Sequence, residues 1–502
     1  MMRFRAVLAG ALTLALAVVL WTSPAGAQQV YDGPQWTKFA CTTYPLNIKK
    51  GAGAQDATLV YKPALMWNTT PIAGKKGKYP RPFAGYVWTE STATDSAAAV
   101  TALATGRKTH NGAINWSDKN RPIVPTIVEA AKALGKKTGT ITSVPLSHAT
   151  PAGMSNAHAP SRNQYADIAL QMVYGVGGSP KKPGKVMLDV IMGCGHPGFD
   201  NDGRGVKGPA AKQTKYVGGP EAWADMGAGA GGRTSSGFAV LHAKADFKAL
   251  AGDDSAGGRY LGIPEVGSTL QERRSGASGD DEPFADPLNP RVPTLETMTR
   301  AALNVLDGTK AAPNRAGFFL HVEGGAVDWA NHANLLGRCV EEQIDFNKSV
   351  RVVSDYLDAN TNGNNWSNTL VVLTADHDCG FLLGPDADKK AYPLLGNQGR
   401  GKLPAYTYMW GGHTNSLVPL YARGAGSELF APLVDGRDTQ LVSRYGLWQG
   451  FDGRYVDNTD IFAAMGGAMT TGRARNVILM ISDGAGFNIW TAATMYEFGL
   501  PK

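Results

Sequence analysis

Cysteine is scarce in this chain: Cys41, Cys194, Cys339 and Cys379 are the only four among 502 residues. Their wide spacing matches no zinc-finger pattern, which excludes a cysteine-built zinc module; in an oxidising compartment they could pair in three ways. Long runs of Lys or Arg are also missing. Charge is scattered, with 49 Lys+Arg against 42 Asp+Glu and a formal net charge of +7. That balance excludes a nucleic-acid footprint and leaves a mild attraction for anions. Beyond the first 27 residues no apolar run reaches membrane-spanning length, so no membrane anchor is expected. Internal repeats and coiled-coil heptads are absent as well, which excludes solenoid and coiled-coil architectures.

The first 27 residues form a leader pattern. Arg3 and Arg5 make a short basic region, Ala6 to Trp21 is mostly apolar, and Ala25-Gly26-Ala27 supplies the small residues of a cleavage signal. The expectation is an exported chain starting near Gln28, periplasmic or secreted. Without the two leader arginines 47 basic residues face 42 acidic ones, a net charge of about +5. About 475 residues remain, enough for one large α/β domain with insertions or for two domains. Strand patterns at Thr138–Val144, Val186–Met192, Phe318–Val322 and 369–376 alternate with helical patterns at 125–135 and Arg338–Leu357. Such alternation predicts a largely parallel sheet covered by helices. Residues 200–235 and 252–290, rich in Gly, Asp, Ser and Pro, read as surface excursions or a small accessory lobe. The stretch 396–415 reads as a loop crossing the mouth of a site.

Four clusters carry chemistry. In VEGGAVDWANH (322–332), Glu323 follows a strand, and Asp328 and His332 lie four apart, on one helical face. A carboxylate and an imidazole so placed can grip a divalent ion; a solvated helix face with a capping Asp has the same spelling. In TADHDCG (374–380), Asp376 and His377 end a strand where adjacent side chains can converge on one ion, or simply make a turn. In GGHTNS (411–416), His413 follows two glycines that let the backbone approach a crowded centre, although a lone His is more often structural. In TATDSAAAVTALATG (92–106), Thr94 or Asp95 can cap an Ala-rich helix. Ser96 would then sit in its first turn, where free N–H groups favour a phosphate; an ordinary cap is the bland alternative.

Together with HATPAGMSNAHAPSR and GGHTNSLVPLYARG, these segments resemble the alkaline phosphatase family of zinc-dependent phosphomonoesterases, over nearly the whole chain after the leader. The resemblance implies a three-layer α/β/α sandwich with a large, mostly parallel central sheet. It implies an exported enzyme that hydrolyses small-molecule phosphate monoesters through a phosphoserine, with two Zn2+ and one Mg2+ as cofactors and no membrane anchor. Dimers are common in the family, so a homodimer is an open expectation. Ser96 stands at the nucleophile and Arg162 at the phosphate clamp. Asp328, His332 and His413 match the first zinc site. Asp376 and His377 match the second, together with an Asp that ends the family's opening strand. That Asp, Thr150 and Glu323 match the magnesium site. Sulfatases use a modified Cys or Ser in another motif, and diesterases usually use Thr, so both fit less well. From another class, an exported protein that binds metal or phosphate without turnover would share the motifs.

The opening-strand Asp is missing from its usual place before Ser96. Asp32 follows only QQVY, and Asp435 lacks a long buried run and a second Gly. NVILMISDGAG supplies the family motif almost unchanged at Asp483, near the C-terminus, so Asp483 is assigned to it. The expected domain therefore spans residues 28–470, with surface insertions around 200–290 and 390–412. Residues 471–502 complete it as a permuted segment, with Val477–Ile481 mid-sheet and Lys502 near Gln28. Two positions depart from the best-known bacterial pattern: His148 stands where it has Asp, and Trp329 where it has Lys. His148 near the third site would recruit zinc in place of magnesium or weaken that site. Trp329 removes a cation that would hold phosphate through water.

Overall fold

A run of apolar residues with no polar alternation is suited to a strand covered on both faces. The computed structural model puts these runs at the centre of an eleven-stranded sheet. It describes residues 28–500 except 52, 75–76, 208–213, 228–231, 277–281 and 447–449. The leader, residues 1–27, and Lys502 lie outside the described residues.

In chain order the strands are β1 (Thr37–Thr42), β2 (Lys137–Pro145), β3 (Val190–Cys194), β4 (Phe238–Leu241), β5 (Arg259–Gly262) and β6 (Phe318–Gly324). Then follow β7 (Thr369–Thr374), β8 (Val418–Gly424), β9 (Val434–Arg437), β10 (Arg454–Asp457) and β11 (Asn476–Ser482). They lie in the order β9-β10-β1-β8-β7-β11-β6-β2-β3-β5-β4. Pairing in this sheet is parallel except where β8 meets β1 and β7 and where β9 meets β10. The last strand of the chain is thus mid-sheet: β11 pairs in parallel with β6 on one side and β7 on the other, and every residue of it is buried.

Two groups of helices sandwich the sheet. Leu295–Asp307 and Leu336–Asp358 pack on β2, β6 and β11, and Phe487–Phe498 backs the longer of them. Ile127–Ala133, Ala149–Gly153 and Asn458–Thr470 also meet central strands, and Ser96–Thr105 packs on the latter two. Local signals set the ends. Thr126 accepts from the Glu129 amide at 3.2 Å while Glu129 accepts from the Thr126 amide at 2.8 Å, a reciprocal cap. No helix among the described residues is long and apolar enough to cross a membrane.

Two expectations are corrected. The strand read at Val186–Met192 runs Val190–Cys194, starting where parallel pairing with β2 and β5 begins. The 200–290 stretch is not only surface excursion, because β4 and β5 form the far edge of the sheet. Both are four-residue strands set among Gly, Asp and Ser, so the surrounding composition hides them. The front of the described chain meets its end: Gln29 Nε2 donates to Glu497 Oε2 at 2.6 Å, and the Tyr31 and Trp490 rings lie 5.0 Å apart.

Candidate active site

In open α/β sheets, ligands gather at the carboxyl ends of the strands. Here four neighbouring strands, β7, β11, β6 and β2, end together, with Ile481 in register with both Thr374 and Glu323, and Thr142 with Glu323. β7 leads into Asp376 and His377, and β11 into Asp483. β6 ends at Glu323 and enters the Ala326–Ala333 helix that carries Asp328 and His332. β2 leads to His148 and then to Thr150 in a short helix. His413 comes from farther along the chain. A two-residue ribbon pairs His413–Thr414 with Asp378–Cys379, and His332 Nδ1 meets the Gly411 carbonyl at 2.8 Å.

The turn after β11 needs its glycines. Gly484 has φ +70°, and a Cβ there would lie 2.8 Å from Asp328 Cα; a Cβ at Gly486 would collide with the Asp378 carboxylate. The Gly484 amide donates to Asp376 Oδ1 at 3.2 Å, and its carbonyl accepts from Cys379 N at 3.0 Å and from Asn331 Nδ2 at 3.2 Å. The three motifs are stitched to one another through this single turn.

Around it the side chains converge. His377 Nε2 lies 3.2 Å from Asp376 Oδ2 and 3.6 Å from Asp483 Oδ1. Asp328 faces His332 Nε2 at 3.4 Å and His413 Nε2 at 3.5 Å, and those two nitrogens are 3.0 Å apart. The His377 and His413 rings stack with centroids 3.6 Å apart. Two sets of donor atoms cluster tightly enough to hold one ion each: Asp328, His332, Cys379 and His413, and Asp328, His377 and Asp483.

The electrostatics call for a cation. Burial, then repulsion from Asp376, Asp328 and Glu323, raises Asp483 well above the usual carboxylate range. Burial lifts Asp376 to about 6 and Glu323 to about 8. Asp328 goes the other way: against the effect of burial, His332, His413 and His377 hold it well below the ordinary value. Both Asp483 oxygens, Asp376 Oδ2 and Glu323 Oε1 are buried without a hydrogen bond. Orphaned buried carboxylate oxygens are costly unless an ion takes them. Mixed nitrogen and oxygen donors suit zinc, and the oxygens of Glu323, Thr150 and Asp483 suit magnesium. The residues therefore fit a metal centre.

Ser96 sits beside this cluster, with its Oγ 3.1 Å from His377 Nε2 at the start of the Ser96–Thr105 helix. Asp95 Oδ1 caps that helix by accepting from Ala98 N at 3.0 Å. The other Asp95 oxygen accepts from Arg162 Nη1 at 3.0 Å, which aims the guanidinium. Ser96, His148, Arg162, Arg273, Asp328, Trp329, His332 and His413 line a cleft of about 340 Å3. Burial, then Arg162, pushes His148 down to about 3, so it is a neutral imidazole whose Nδ1 has no hydrogen bond. Its ring meets Trp329 edge-on at 5.3 Å.

The residues assigned to the site from the sequence thus gather at one end of the sheet, and the rival carboxylates Asp32 and Asp435 lie elsewhere. Cys379 and Arg273 were missed. Cys379 had a signal, since TADHDCG places it three residues after Asp376; Arg273 had none, lying in a stretch that reads as surface.

Fold and site together define an open-sheet α/β protein with a serine set against a histidine–aspartate donor cluster. The family model for alkaline phosphatase matches residues 82–398. The chain belongs to the alkaline phosphatase family. It is 30% identical over 334 residues to alkaline phosphatase 4 of Bacillus subtilis, covering 65% of this chain and 60% of that one. It is 30% identical over 353 residues to streptomycin-6-phosphate phosphatase of Streptomyces griseus, covering 66% and 73%. The chain spans about half to three fifths of the length of several of the curated relatives it matches. A cold-active alkaline phosphatase from a psychrophilic Shewanella has the same fold, with a TM-score of 0.53 at 20% identity, covering 88% of this chain and 92% of that one.

Proposed function

We propose that this protein hydrolyses phosphate monoesters to alcohol and inorganic phosphate, with Ser96 as nucleophile. The observation that carries this reading is Ser96 Oγ at 3.1 Å from His377 Nε2, at a helix N-terminus and beside the donor cluster. Asp328, His332 and His413 would hold one zinc, and Asp376, His377 and Asp483 a second. Thr150, Glu323 and Asp483 would hold magnesium, with His148 nearby as a nitrogen donor that favours zinc at that third position. Metal bound there supplies Lewis acidity, lowering the pKa of an oxygen ligand and neutralising charge on attacking and leaving oxygens.

The protein's own groups do the rest. Ser96 Oγ, its proton lost, attacks phosphorus, and the bond to the ester oxygen breaks as the alcohol departs and takes up a proton. Arg162, held by Asp95, offers a planar fork to two phosphate oxygens. Free N–H groups of the Ser96–Thr105 helix add to that stabilisation. Water then displaces Ser96 from phosphorus, which completes two displacements in place of one difficult step. The leader pattern over residues 1–27 supports export to the periplasm or the medium. The order of segments supports a permuted arrangement, with the family's opening strand supplied by β11.

Ser96→Ala and Asp483→Asn test the reading together. Ser96→Ala should lower turnover on an aryl phosphate by about 10³-fold or more while zinc content stays the same. Asp483→Asn should lower metal content along with turnover. Near-normal rates in Ser96→Ala would sink the nucleophile assignment, and full metal retention in Asp483→Asn would sink the ligand assignment.

A further inference from the structure

Trp329 stands where the best-known bacterial pattern has a lysine, yet the cleft wall at that point carries a cation. Arg273 reaches it from the stretch between β5 and β6. Its guanidinium carbon lies 4.5 Å from the centre of the Trp329 ring, and the side chain lines the same cleft as Ser96 and Arg162. Stacking on an aromatic face fixes a guanidinium while leaving its N–H edge free to meet an anion.

The neighbouring arginine explains how Arg273 is presented. Arg274 is almost fully buried and spends its donors on structure. It grips Glu341 with two hydrogen bonds, at 2.7 and 2.9 Å, and donates to the carbonyls of Pro287, Gln271 and Asp286. The Arg273 amide donates to Thr269 Oγ1 at 2.8 Å, which closes the turn. Arg273 itself keeps its side chain 55% exposed, and among the described residues its one ion pair is Nε to Glu272 at 3.5 Å. Among the described residues, nothing hydrogen-bonds its two terminal nitrogens. Two adjacent arginines therefore divide the work, one anchoring the turn and the other facing the cleft.

The side of the cleft matters. Trp329 follows Asp328, which faces His332 and His413; Ser96 Oγ lies on His377 of the other ligand set, which leaves a metal held by Asp328, His332 and His413 to meet the departing oxygen. Arg162, held by Asp95 next to Ser96, would serve the reacting phosphate. We propose that Arg273 on Trp329 is an anion subsite for the leaving group, selecting phosphate monoesters whose alcohol portion carries a second anionic oxygen group. The inference rests on the phosphomonoesterase reading and adds a substrate class to it.

The test compares an aryl phosphate bearing a carboxylate with its carboxamide counterpart, on the full zinc- and magnesium-supplemented chain. Wild type should prefer the carboxylate by about tenfold in kcat/KM, through KM and not kcat. Arg273→Gln should bring that ratio close to one, and Arg273→Lys should restore part of it as a point charge without the stacked fork. The matching pair of phosphonates, titrated calorimetrically, should show the same tenfold difference in Kd. A wild-type ratio near one, a ratio unchanged in Arg273→Gln, or an equal loss on both substrates would overturn the subsite. If wild type hydrolyses neither ester, the phosphomonoesterase reading fails, and the phosphonate titration decides the subsite by itself.

Discussion

Glu342 shows what a single buried carboxylate does when it stands outside the cleft. It is 4% exposed on the Leu336–Asp358 helix, and its Oε1 has no hydrogen bond. Arg274, the cation that pulls the other way, is committed to Glu341. Burial, then Asp345, Glu272 and Glu341, raises Glu342 well above its ordinary value of 4.5. The folded state therefore keeps a proton that the unfolded chain releases. Stability from this group is fully present below about 4.5 and is lost as pH rises toward the raised value. Glu342→Gln removes the charge while keeping the shape. Its Tm should equal that of wild type near pH 4.5 and exceed it at pH 8, measured by thermal melts across that range. A gap that widened as pH fell would contradict the assignment. Nothing in VEEQID marks which of its two buried glutamates gains a cation, because helical periodicity predicts a face and not the partner that a neighbouring loop brings to it. The cleft residues were legible for the opposite reason: Asp328 and His332, Asp376 and His377 are close in the chain, so spacing alone pairs them.

At the scale of elements, the turn after β11 decides whether the motifs meet. Five apolar residues predicted a buried strand, and Asp483 predicted a carboxylate at its tip. The role of Gly484 could not be foreseen, since the Asp328 backbone that crowds it arrives from 156 residues away in sequence. The short strands β4 and β5 and the ribbon that delivers His413 were hidden for a similar reason: two to four residues carry too little periodicity to stand out. Gly484→Ala should cost about 1–2 kcal/mol for an L-residue at φ +70°. Crowding against Asp328 adds about 1–3 kcal/mol more. A lower urea midpoint should come with reduced metal retention, because the same shift displaces Asp328 and Asp376. A destabilised variant that kept its full metal content would separate the turn from the centre. Ala at Gly472, whose φ is +73° but which has open space around it, is the control that carries the backbone term alone.

For the molecule as a whole, the sheet is completed by the two ends of the described chain, and this bears on the permuted order proposed above. β11 and the Phe487–Phe498 helix follow every other element in sequence, yet they sit between β6 and β7 and against the long helix. A late strand in the middle of a parallel sheet makes the rest of the fold wait for it, which raises the sequence separation of the central contacts and slows folding. Moving the break in the chain should leave the native contacts intact. Gln29 and Glu497 already touch at 2.6 Å, and Thr471–Arg473, between the Asn458–Thr470 helix and β11, is exposed. A rotated chain would start at Gly472, run through Lys502, continue through a short Gly-Ser linker into Gln28 and end at Thr471. Loop-closure cost changes slowly with length, so opening one surface connection and closing another nearly cancels. The rotated protein should show the same circular dichroism spectrum, a Tm within a few degrees of the parent and comparable turnover on an aryl phosphate. It should also refold faster from urea, because β11 would then be the first strand of the sheet and near in sequence to β1 and β2. A rotated chain that folded but lost its metal and activity would mean that the break between Lys502 and Gln28 shapes the centre, and that the two orders are not equivalent.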